Sequence, residues 1–98
     1  LAGGQADVIT AYTSDGRIAV DDLAVLSDPK QAIPGYDALL LLGDDAVADA
    51  RLVAALKPLV GTIDVATMRR ANYMVDRDAD KASPAEAATW LAGEIGAE

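Results

Sequence analysis

The chain has 98 residues, of which 52% are hydrophobic and 24% charged, with a net charge of −8 and neither Cys nor His. This length accommodates one compact domain and not two, and the apolar fraction argues against intrinsic disorder. Without thiol or imidazole, disulfide scaffolds, thiolate nucleophiles and zinc sites drop out, and the acidic balance argues against nucleic-acid binding, which needs a basic footprint.

The charge is uneven. Residues 1–49 hold nine acids and two bases, and residues 50–98 hold seven acids and six bases. The longest apolar run, residues 38–42, falls far short of the ~20 residues of a membrane-spanning helix. The opening LAGGQADV has no signal-peptide pattern and reads like the tail of a helix entering a strand. The expectation is a piece of a longer chain.

Residues 7–12 are rich in β-formers (Val8, Ile9, Thr10, Tyr12) and predict a strand. Thr13-Ser14-Asp15-Gly16 is a turn by composition. Residues 23–26 predict a second strand, closed by Ser27-Asp28-Pro29. Pro34 constrains the loop Ile33-Pro34-Gly35-Tyr36. Residues 38–42 are apolar without alternation, which suits a strand covered on both faces, and Gly43-Asp44-Asp45 ends it.

The second half reads as helices. Leu52, Val53, Leu56, Leu59 and Val60 recur at helical spacing, with Pro58 kinking the helix or ending it early and Gly61 as a stop. Asp64 is a candidate N-cap for a short helix carrying Met68 and Ala71. Ser83-Pro84-Ala85-Glu86 has the form of a capping box with Pro at the first helical position. Ala87, Trp90, Leu91 and Ile95 then form an apolar stripe. The predicted fold class is α/β, with three short, mainly parallel strands followed by three helices.

Catalysis has little support, since no nucleophile elbow or phosphate loop is present. Asp44-Asp45 after an apolar run faintly resembles the acidic pocket of a receiver domain, but a magnesium site needs carboxylates from several loops. The aromatic residues are the better clue. There is no Phe, and Tyr12, Tyr36, Tyr73 and Trp90 are the whole aromatic set. Tyr12 and Tyr36 fall at predicted strand ends and the loops beside them, where α/β proteins bind ligands. Tyr rings there can enclose a quaternary ammonium ion. On composition alone, both read as packing residues.

Residues 5–18, QADVITAYTSDGRI, resemble a segment of the substrate-binding proteins of osmoprotectant ABC importers, G-x-x-D-V-x-x-A-Y-S/T-T-D-G-R-I. DLAVLSDPKQAIPGY, ANYMVD and SPAEAATWLAGEIG resemble later segments of that family, in order, so the resemblance covers nearly the whole chain. The chain departs at Thr13-Ser14, where the family has Thr in second place, and at Gly35, where it has Pro.

The resemblance implies the C-terminal part of a type II periplasmic-binding fold, with two lobes around a cleft. Residues 1–22 would end the second lobe; residues 23–98 would form a hinge strand and part of the first. It implies capture of glycine betaine, choline, carnitine or a related quaternary amine in a cage of Tyr rings. Tyr12 and Tyr36 match cage positions, with Thr13 a weaker candidate. Tyr73, in the NY block, reads as structural. The implied partners are an ABC permease and the remainder of the parent chain. The implied location is extracytoplasmic, in the periplasm or anchored at the cell surface. No catalytic residue, metal or cofactor is expected. A severed piece would expose apolar surface and favour self-association. The alternative is a free-standing interaction or regulatory domain without a transport role.

Overall fold

The computed structural model describes residues 1–97. Its element order is α1 (Arg17–Val20), α2 (Asp44–Ala48), α3 (Ala50–Leu56), a 3-10 turn (Lys57–Leu59), α4 (Val65–Asp76) and α5 (Pro84–Glu94). Among the described residues there is no strand.

The α/β expectation, including the partial type II fold with its mainly parallel sheet, is therefore corrected. Residues 7–12, 23–26 and 38–42 run as coil. Their composition favours strands, but a strand exists only where a neighbour completes its backbone ladder, and β propensity largely reflects that packing. Residues 38–42 were expected to be covered on both faces; instead Leu39 is 75% and Leu41 86% exposed.

The chain divides into two compact units, one of Leu1–Val25 with Ile63–Glu98 and the other of Leu26–Thr62. In the first unit, α4 packs on both α5 and α1. Among the described residues, the buried hydrophobic side chains are Ile18 on α1, Ala71 on α4 and Ala87 on α5.

Both long helices start where local chemistry says they should. The Asp64 carboxylate accepts the Thr67 amide at 2.7 Å and opens α4. At α5 the Ser83 hydroxyl accepts the Glu86 amide at 3.2 Å, and the Glu86 carboxylate accepts the Ser83 amide at 2.7 Å, with Pro84 in the first turn. The connector between them is tied back by the Ala82 amide, which donates to the Met74 carbonyl at 2.8 Å.

The second unit contains α2, α3 and the 3-10 turn. Asp44 and Asp45, expected to end a strand, occupy the first turn of α2, where acidic side chains suit the positive end of a helix. Asp49 caps α3 by accepting the amides of Arg51 (2.9 Å) and Leu52 (3.2 Å). Pro58 falls in the 3-10 turn, and Gly61 follows at φ 76°, a left-handed conformation that favours glycine. Upstream, the Asp28 carboxylate accepts the Ile33 amide at 2.8 Å, and that bond is the main cause holding its pKa below the ordinary value.

Candidate functional site

In the first unit the segment after residues 7–12 closes into a turn. The Asp15 amide donates to the Tyr12 carbonyl at 3.0 Å. The Asp15 carboxylate then accepts the Arg17 amide at 2.9 Å, and the Ile18 amide donates to the Asp15 carbonyl at 3.2 Å, which starts α1. Asp is suited to this work because its short side chain reaches a backbone amide two residues on.

This turn is fastened to α4. Arg69 Nε donates to the Thr13 carbonyl at 2.7 Å, and Asn72 Nδ2 donates to the Ser14 carbonyl at 2.8 Å. The Arg17 guanidinium donates to the Asp76 carbonyl at 3.1 Å and pairs with Asp78 at 3.0 Å. Asp78 raises the pKa of Arg17 through its hydrogen bond first and its charge second. Both partners are exposed, so the ion pair adds little to stability. Two of the recognisable sequence blocks, residues 12–18 and 71–76, thus meet in space.

Tyr12 stands at the head of the fastened turn and is 65% exposed, with Thr13 exposed beside it. Tyr36 lies in the second unit and is 84% exposed. The structure therefore joins Tyr12 and Thr13 in one turn and places Tyr36 in the other unit. Tyr73 contributes its backbone and Cβ to the close approach of Gly16. Sequence reasoning did not single out Arg69 or Asn72. Asn72 lies in the ANYMVD block, but its acceptor is a backbone carbonyl 58 residues away.

A cleft of about 340 Å³ also opens in the first unit. Its apolar wall includes Ile9, Ala11, Ile18 and Leu23, and its polar groups are Asp15, Arg17 and Asp21. No aromatic ring lines it. Among the described residues, no group of three or more acidic side chains is placed to hold a metal ion, and none of the helices is long and apolar enough to cross a membrane. The receiver-like reading of Asp44 and Asp45 lacks the converging carboxylates it requires.

The family model for the substrate-binding domain of ABC-type glycine betaine transport systems matches residues 1–93. The chain belongs to this family. The chain is also similar to the carnitine transport binding protein OpuCC of Listeria monocytogenes serotype 1/2a (strain 10403S). The two are 35% identical over 77 residues, which is 78% of this chain and 25% of that protein. The protein of the same name from Listeria monocytogenes matches to the same extent. The chain spans about a quarter of the length of these curated relatives. No solved structure gives a significant match. The glycine betaine binding-domain family serves transport, not catalysis.

Proposed function

We propose that the chain is part of an extracytoplasmic solute-binding protein that captures a quaternary ammonium osmoprotectant between Tyr rings and delivers it to an ABC permease. Tyr12 and Tyr36 are two of those rings, and Thr13 flanks the first.

The observation that carries this function is the placement of Tyr12. In a chain of the glycine betaine binding-domain family, this ring is exposed at the head of a turn that α4 fastens in place. A quaternary ammonium ion offers no N–H to a hydrogen-bond acceptor. Its recognition depends on its diffuse positive charge, which the negative face of an aromatic ring attracts by up to ~2 kcal/mol when desolvated. Capture by several rings needs no nucleophile, metal or proton transfer.

The test is calorimetric titration of glycine betaine, carnitine and choline into the intact gene product. Tyr12→Ala and Tyr36→Ala are each expected to weaken the best ligand at least about tenfold, the loss of one desolvated cation–π contact. Unchanged affinity in both variants overturns the assignment. Tight binding of none of the three ligands by the native protein favours the interaction-domain alternative.

A further inference from the structure

We infer that Arg69 and Asn72 are positioning residues for ligand capture, holding the backbone immediately after Tyr12 so that its ring is presented in one direction. The inference rests on the assignment of Tyr12 to the binding site.

Arg69, Asn72, Tyr73 and Asp76 are spaced i, i+3, i+4, i+7 along α4, so they share one face of the helix. Every one of them meets the segment that follows Tyr12. Arg69 holds the carbonyl of Thr13 and Asn72 that of Ser14. The Tyr73 backbone and Cβ lie against Gly16, and the Asp76 carbonyl accepts Arg17.

The arrangement is more specific than packing alone requires. Arg69 and Asn72 are polar residues spent on two successive backbone carbonyls, of exposed Thr13 and half-buried Ser14. The sequence separations, 56 and 58 residues, mean that neither bond forms as part of local turn structure. The Ser14 carbonyl shares its peptide unit with the Asp15 amide, which donates to the Tyr12 carbonyl at 3.0 Å, so the two anchors steady the peptide that follows Tyr12. A surface turn left free would have to be ordered when ligand binds, at a cost in affinity; ordering it beforehand removes that cost.

The test titrates glycine betaine into the intact gene product carrying Asn72→Ala, Arg69→Met or Tyr12→Ala, and into the two double variants with Tyr12→Ala. Arg69→Met retains a long stem and good helix propensity while deleting the donor, so it stays informative where Asn72→Ala fails to fold. Each single change is expected to raise Kd about five- to tenfold, the value of one hydrogen bond. In the Tyr12→Ala background the same change is expected to add less than about twofold, because residues acting through one another are not additive. Unchanged Kd in both Asn72→Ala and Arg69→Met beside a weakened Tyr12→Ala overturns the positioning role and leaves Tyr12 in the site. Equal losses with and without Tyr12 also overturn it, since they report a general structural effect. Normal binding by Tyr12→Ala overturns both assignments together.

Discussion

Gly16 lies flush against Tyr73: a Cβ built on Gly16 would sit 2.6 Å from both the Cβ and the backbone nitrogen of Tyr73. The Arg69 carbonyl closes the same space at 2.7 Å. These are mostly backbone atoms, so a side chain here cannot be accommodated by a rotamer change. Gly16→Ala is expected to destabilise the first unit by about 1–3 kcal/mol, as overpacking does. Urea unfolding followed by circular dichroism checks it, with Gly43→Ala, whose Cβ would meet nothing within 4 Å, as the control.

The capping box of α5 gives a second prediction. Ser83→Ala removes the hydroxyl that accepts the Glu86 amide. The expected loss is about 1 kcal/mol. The same urea experiment reads it as a lower midpoint with an unchanged slope.

The same caps set an acid limit. The Thr67 amide holds the Asp64 carboxyl below its ordinary value of 3.8, and the Ser83 amide, then its hydroxyl, hold Glu86 below 4.5. A carboxyl with a depressed folded pKa contributes stability that is complete above its unfolded value and is lost as pH falls through the folded one. Helix content is therefore expected to be flat from neutral pH to about pH 5 and to become easier to melt below the ordinary carboxylate range. Asp64→Asn keeps a capping side chain but not the titration, so it is expected to preserve stability at neutral pH and to flatten the acid slope. Thermal melts at a series of pH values check both statements.

Trp90 provides an internal reporter, as it is the only Trp in the chain. The Arg70 guanidinium lies 5.3 Å from its ring centroid and pairs with Glu94 at 3.3 Å. Arg70→Ala is expected to cost less than about 1 kcal/mol, because the Arg70 guanidinium and its Glu94 partner are exposed. It is nonetheless expected to change the emission of Trp90, since a cation leaves the ring face. Steady-state fluorescence at neutral pH separates these two effects.

The apolar segment after Tyr36 is expected to govern behaviour of the 98-residue chain on its own. Leu39 and Leu41 are 75% and 86% exposed, a surface that favours association. The isolated chain is expected to show a mass that rises with concentration in light scattering. Leu39→Lys with Leu41→Lys is expected to reduce that rise.

Legibility in the sequence followed the range of the interactions. The starts of α4 and α5 were readable because Asp64, Ser83, Pro84 and Glu86 act within three residues of their partners. The strands expected at residues 7–12, 23–26 and 38–42 depended on neighbours that no local pattern can supply. The sequence hides α1 because four residues carry almost no periodicity, and α2 because Asp44-Asp45 after an apolar run reads as the end of a strand although acidic residues equally favour a helix start. At the candidate site, Tyr12, Thr13 and Tyr36 were marked by residue type and family resemblance. Arg69 and Asn72 were not, because a side chain that bonds a distant carbonyl leaves no spacing to recognise.

The bonds from α4 to the turn have carbonyls as their acceptors. A carbonyl is present whatever residue carries it, so the helix grips positions 13 and 14 without reading their side chains. The order Thr13-Ser14 leaves both anchors intact. The anchoring of the turn is thereby independent of the side chains at these two positions.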